Sequence, residues 1–221
     1  MKIKTAALSA AAGLALLCAA PAFVSAQEQD AGSDVTFRGG WAGLVHDRGG
    51  QVFTDVGGSN GEINNGHGGY YVGAALDMLL SRDAWGLLKD LWAQGEVGLE
   101  FKRFDSNTVT SATNALTGLG GKYAQVPVTM LTVDVAPKLR WAGWGRFQPW
   151  IIPAGMDFHV ISPPSNLTSY LDVGVESGIG ADYRIWKQFK VGVEARYHVA
   201  AGETGTMNNF GTVGSYASIA F

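Results

Sequence analysis

The feature that most limits how this chain can fold is a period-two alternation of side-chain character that recurs in eight separate stretches. Alternation places two kinds of side chain on opposite faces of an extended strand, whereas a helix groups residues three and four apart. The stretches run over about Asp34–Leu44, Tyr70–Leu80, Trp92–Phe104, Val126–Trp141, Arg146–Val160, Tyr170–Arg184, Phe189–Ala200 and Gly211–Phe221. Clusters of Gly, Asn, Ser and Pro separate them, as turns and loops require. In the first, Val35, Phe37 and Trp41 oppose Thr36 and Arg38; in the second, Tyr70, Val72, Ala74, Leu76 and Met78 oppose Tyr71, Gly73, Ala75 and Asp77. In the third, Val97, Leu99 and Phe101 oppose Gln94, Glu96, Gly98 and Glu100; in the fourth, Leu131, Val133, Val135, Leu139 and Trp141 oppose Thr132, Asp134, Lys138 and Arg140. The sixth and seventh repeat the scheme, with Val175 and Ile179 against Glu176 and Gly178, and Val191 and Val193 against Gly192 and Glu194. The fifth is the least regular. Trp150, Ile152, Met156 and Phe158 read as one face, but Pro149 and Pro153 interrupt it. Proline removes a ladder hydrogen bond, so a bulge is expected there.

Outside the N-terminus no window approaches the roughly 20 apolar residues of a membrane-spanning helix. Strands of roughly ten to fifteen residues suffice instead, since about 9–11 cross a bilayer when tilted. The connectors alternate in length. Val45–Gly69, Asp105–Gln125, Ile161–Ser169 and Ala201–Phe210 are loops, whereas Trp141–Gly145 and Trp186–Gln188 are tight. Ser81–Leu91 is intermediate, and Trp85, Leu88 and Trp92 have helical spacing, which predicts a short interfacial helix. Trp92, Trp141, Trp144, Phe147, Trp186, Phe189 and Phe221 gather on the turn side; Trp41, Tyr70, Phe104, Tyr123, Phe158, Tyr170 and Tyr197 gather on the loop side. Two such aromatic girdles mark the two lipid–water interfaces. The pattern predicts an all-β, eight-stranded antiparallel up-and-down transmembrane β-barrel, closed so that no strand edge meets lipid.

The N-terminus reads as an export signal. Lys2 and Lys4 form a positive start, Thr5–Ala20 is small and apolar, and Val24-Ser25-Ala26 offers small residues for cleavage after Ala26. Residues 27–33 are then a short polar lead to a barrel over 34–221. Cys18, the only cysteine, falls inside the signal, and Leu17 before it is too large for a lipoprotein cleavage box. A cysteine-free mature chain needs no disulfides in an oxidising compartment. Removing two lysines and no acids leaves a mature net charge of (16 − 2) − 19 = −5, which argues against nucleic acid as a partner.

The closing stretch, GTVGSYASIAF, puts Val213, Ser215, Ala217, Ile219 and Phe221 on one face and Thr212, Gly214, Tyr216, Ser218 and Ala220 on the other. It resembles the closing strand of outer-membrane barrels, in which a terminal aromatic and a hydrophobe two residues earlier, here Phe221 and Ile219, are read by the barrel-assembly machinery. The fuller signal has Gly where this chain has Tyr216. Signal, alternation and terminal Phe together resemble the small eight-stranded barrels of the OmpA/OmpX type over about Asp34–Phe221. The resemblance implies a monomer in the outer membrane of a Gram-negative bacterium, with both termini periplasmic and with lipid, lipopolysaccharide and the assembly machinery as partners. Roles in that family range from envelope integrity and adhesion to, rarely, enzymes acting on lipid A. The expected function is structural or surface-interacting; a lipid A deacylase-like enzyme and a narrow diffusion channel are the alternatives.

The inward face collects Arg38, Asp77, Glu96, Glu100, Lys102, Asp134, Lys138, Arg140, Asp172, Glu176, Asp182, Arg184, Lys190, Glu194 and Arg196. Eight strands enclose a bore that side chains fill, so these charges are expected to pair into a plug. Glu96 and Glu100 are expected to meet Lys138 and Arg140 across a hairpin. His159, Asp172 and Ser162 offer the residue types of a Ser–His–acid set. Yet His159-Val-Ile-Ser162 does not reproduce the deacylases' His-x-Ser-Asn, and no G-x-S-x-G occurs. The expectation is a histidine bonded to Asp172 at the rim, with His198 facing Glu176. Asp47, Asp55, Asn60 and Glu62 supply oxygens in a Gly-rich first loop, without the EF-hand spacing. No catalytic residue, metal or cofactor is expected.

Overall fold

The computed structural model describes residues 32–45, 67–109, 124–162, 170–200 and 209–221; for 105–109, 124–128, 162 and 170 the backbone alone is described. The signal with Ala26, the acidic first loop, Tyr123 and the side chain of Ser162 lie outside the described residues. Eight strands form a closed barrel in sequence order: β1 (Asp34–Leu44), β2 (Gly68–Ser81), β3 (Leu91–Val109), β4 (Ala124–Trp141), β5 (Phe147–Ser162), β6 (Tyr170–Trp186), β7 (Phe189–Ala200) and β8 (Phe210–Ala220). Every neighbouring pair is antiparallel, and β8 closes on β1 from Asp34↔Ala220 to Leu44↔Phe210. Closure satisfies the backbone of both chain-terminal strands, as a wall against lipid must.

The two faces sort opposite to a soluble barrel. Phe37, Val72, Leu99, Val135, Ile151, Val175, Ile179, Val193, Val213 and Ile219 are exposed on the outside. Charged and hydroxylated side chains are buried within. Apolar-out and polar-in alternation is what hydrocarbon outside and a filled lumen inside demand.

The fifth strand carries the expected bulge, and it moves side chains that the simple alternation misplaces. From Val135 to Leu139 β4 takes four steps while β5 takes five, from Ile151 to Met156. The extra residue falls at Pro153–Ala154, both exposed, and inverts the parity on either side. Met156 and Phe158 therefore face out, as the apolar pattern suggests, but Trp150 and Ile152 point into the bore.

Two further corrections concern the turn end and the aromatics. No helix forms over Ser81–Leu91. Ala84, Trp85 and Gly86 have φ of 47°, 59° and 83°, and such consecutive left-handed residues reverse the chain instead of winding a right-handed helix. Ser81 Oγ accepts the Trp85 N–H at 2.9 Å and the Asp83 carbonyl accepts the Gly86 N–H at 3.0 Å, fixing the turn. Trp92 and Phe104 are not girdle residues. Both share the inward parity of Glu96 and Glu100, Trp92 lying under Arg82 and Phe104 edge-on to Phe210.

Candidate functional site

The inward residues of all eight strands meet in three levels along the bore. At the turn end Asp34 of β1 receives Arg140 of β4 and, at 2.9 Å, Lys190 of β7. Arg140 continues to Asp182 at 3.0 Å and Asp77 at 3.5 Å. Tyr216 of β8 donates its hydroxyl to Asp182 and accepts the Trp150 indole N–H at 2.7 Å. Glycine makes this packing possible. A Cβ on Gly180 would overlap the Trp150 ring, and one on Gly192 the Tyr216 ring.

The middle level is an ionic lattice. Arg38 binds Glu96 at 2.6 Å, Glu100 at 2.7 Å and Asp134 at 2.9 Å. Arg196 binds Glu96 at 2.7 Å, Glu194 at 3.1 Å and Glu176 at 3.4 Å. Lys138 joins Glu96 at 3.0 Å to Asp77 at 2.9 Å and lies over the Trp150 ring. Tyr71 donates to Glu194 at 2.9 Å from across the bore. Glu96 thus meets Lys138, whereas Arg140 goes to the aspartates of the turn end, and Glu100 pairs with Arg38 and, at 2.5 Å, Lys102. Arg184 is half-buried near the end of β6, its backbone N–H donating to the Arg146 carbonyl.

Towards the loops the chemistry changes. Lys102 donates to Thr132 at 2.8 Å, and Thr132 shares a hydrogen with His159 Nδ1 at 2.9 Å. Asp157 lies 3.3 Å from His159 Nε2 and 2.7 Å from His198 Nδ1. Above them Ala42, Leu44, Tyr71, Phe104, Met130, Ile161 and Phe210 form one buried apolar cluster, with Phe210 stacked on His198 at a centroid distance of 4.2 Å.

The histidine expectations need correcting. His159 and Asp172 are cross-strand neighbours, but the His159 ring hydrogen-bonds Thr132 through Nδ1 and has Asp157 3.3 Å from Nε2. His198 takes Asp157 first and has Glu176 only at 3.8 Å. Asp157, the group that joins both rings, was not singled out in the sequence, although its odd-numbered parity with His159 marks it as inward. His159 is wholly buried in the lumen, so its ring faces away from any lipid substrate on the outer wall.

No protein-family model matches the sequence, and no curated protein matches it either. Solved structures do match. Neisserial surface protein A is 11% identical, with a TM-score of 0.55 over 88% of this chain and 100% of that one. OprG, an outer membrane protein from Pseudomonas aeruginosa, is 14% identical, with a TM-score of 0.50 over 89% and 99%. The outer membrane enzyme PagL is 15% identical, with a TM-score of 0.47 over 86% and 99%. The chain therefore has the fold of the small eight-stranded outer-membrane barrels, and that fold does not by itself fix an activity.

Proposed function

We propose that the protein is a non-enzymatic, monomeric barrel of the Gram-negative outer membrane whose lumen is closed and whose contribution is to envelope structure or surface interaction. One observation carries this: charged and hydrogen-bonding side chains from non-adjacent strands meet across the bore, Arg38 of β1 reaching Asp134 of β4 and Tyr71 of β2 reaching Glu194 of β7. A bore crossed by paired charges and topped by an apolar cluster leaves ions no low-energy path. Lipid and lipopolysaccharide contact the apolar wall. The short turns, the start of β1 and the end of β8 lie at one end, which fits periplasmic termini and loops outside. Cleavage after Ala26 would start the mature chain at Gln27.

Planar-bilayer recording of the refolded barrel tests the closed lumen. Small, rare currents are expected; large steady conductance would overturn it in favour of a channel. Hydrolysis of lipid A by the same preparation would overturn the non-enzymatic reading. Assembly is read from Phe221, which is exposed at the closing seam beside Ile219, while Tyr216 serves the lumen. Deleting Phe221 is expected to reduce the heat-modifiable, membrane-inserted form on a gel; unchanged levels would remove its assembly role.

A further inference from the structure

We propose that Asp157, His159 and His198 form a binding site for one divalent transition-metal ion of the zinc class, built into the lumen beneath the apolar cluster. The three residues are buried, and one donor atom from each lies within 4.8 Å of the other two. Asp157 Oδ2 is 2.7 Å from His198 Nδ1 and 3.3 Å from His159 Nε2. Bonds of ~2.0–2.1 Å to a tetrahedral ion set donor–donor edges of about 3.4 Å, so the His159 edge already fits and the His198 edge opens by a fraction of an ångström. Two imidazoles and a carboxylate are a donor set that such ions take. The fourth position falls to Glu176, whose Oε2 is 3.8 Å from His198 Nδ1, or to a water.

Independent observations point to a cation. His159 Nε2 is buried beside Asp157 yet makes no hydrogen bond among the described residues. Its ring is held from behind by Thr132, whose hydroxyl accepts from Lys102 Nζ at 2.8 Å and lies 2.9 Å from His159 Nδ1. Metal binding through Nε2 places the ring proton on Nδ1, where the Thr132 hydroxyl accepts it. Phe210 stacks on His198 and meets His159 edge-on at 5.4 Å, holding both rings. The charge count agrees. Among the described residues the buried acids are Asp34, Asp77, Glu96, Glu100, Asp134, Asp157, Asp172, Glu176, Asp182 and Glu194, and the buried cations Arg38, Lys102, Lys138, Arg140, Lys190 and Arg196, which gives 6 − 10 = −4. Buried negative charge in excess takes up protons or a cation. A divalent ion takes the place of the hydrogen between Asp157 and His198 Nδ1, the neutral ring then carries its proton on Nε2, and two of the four charges are offset.

The test uses the full mature barrel in detergent, stripped with chelator and titrated with Co²⁺. One equivalent should bind, with the intense visible d–d bands of a four- or five-coordinate nitrogen–oxygen site, and Zn²⁺ should displace it. Asp157→Asn and His159→Gln should each weaken binding about tenfold or more, whereas His46→Gln/His67→Gln, which removes the histidines outside the cluster, should bind as wild type does. Heat-modifiable migration confirms that each variant is folded. Should both cluster variants fail to fold, thermal melting of the stripped wild type decides: added Zn²⁺ must raise the midpoint. Absence of stoichiometric Co²⁺ binding, an octahedral spectrum, undiminished binding in a folded Asp157→Asn barrel, or an unmoved midpoint would each overturn the site.

Discussion

Arg38 on β1 reaches Glu100 on β3 at 2.7 Å by passing over Gly73 of β2, the residue that pairs in register with both. The contact skips a strand because the intervening position has no side chain. A Cβ on Gly73 would lie 2.8 Å from the Glu100 side chain and 2.6 Å from the Leu99 carbonyl. Gly73→Ala is therefore expected to push Glu100 off Arg38 and to destabilise the barrel by about 1–3 kcal/mol, the usual cost of overpacking. Urea unfolding in lipid vesicles, followed by the gel shift, measures it; stability equal to wild type would mean the bore is looser than this geometry.

Glu96 is shared by Arg38, Arg196 and Lys138 at 2.6, 2.7 and 3.0 Å. Removing the acid leaves three buried cations leaning on their remaining partners. Loss of one member of a buried ion pair costs about 3–5 kcal/mol. Glu96→Ala should lower the melting midpoint far more than Glu62→Ala in the β1–β2 loop. Equal midpoints for the two variants would contradict a plug held together by charge.

Tyr216 links the seam to the lumen. Its hydroxyl serves Asp182 and Trp150 together, and its ring fills the space opposite Gly192. Tyr216→Phe keeps the ring and removes both bonds, so a buried carboxylate oxygen and an indole N–H lose their partner. About 1–3 kcal/mol of stability should be lost, with normal insertion on the gel. A defect in insertion with unchanged stability would instead place Tyr216 in the assembly signal.

The closed barrel was legible because each face of a strand has one environment, and eight stretches repeat the same sorting. Parity also located most lumen charges, since Glu96, Glu100, Lys138 and Arg196 follow the alternation without interruption. Three things escaped it. The bulge at Pro153–Ala154 was expected, but a bulge's effect on parity depends on which residue is extra, and Trp150 and Ile152 consequently went to the wrong face. Partner choice was hidden because it depends on register between strands distant in sequence: Arg140 meets Asp34 of β1 and Asp182 of β6, not the acids of its own hairpin. The apolar cluster was hidden because Phe104 and Phe210 sit near strand ends, where an inward aromatic and a girdle aromatic look alike in sequence.

Trp85, Leu87 and Leu88 extend the apolar surface past the strands at the turn end. Trp85 is 71% and Leu87 79% exposed, on a turn whose left-handed residues are fixed by Ser81 and Asp83. Large apolar side chains held outward at a barrel rim are stabilised by the headgroup–acyl boundary, where an indole keeps its N–H hydrated and its ring in lipid. The turn is thus expected to rest in the interface although it is not helical. The difference in fluorescence between wild type and Trp85→Phe isolates this indole from the others. In vesicles its emission should be blue-shifted, and lipids brominated near the headgroup should quench it more than lipids brominated at mid-chain. A red, water-like difference spectrum that bromine does not quench would place the turn in solvent, beyond the reach of the membrane.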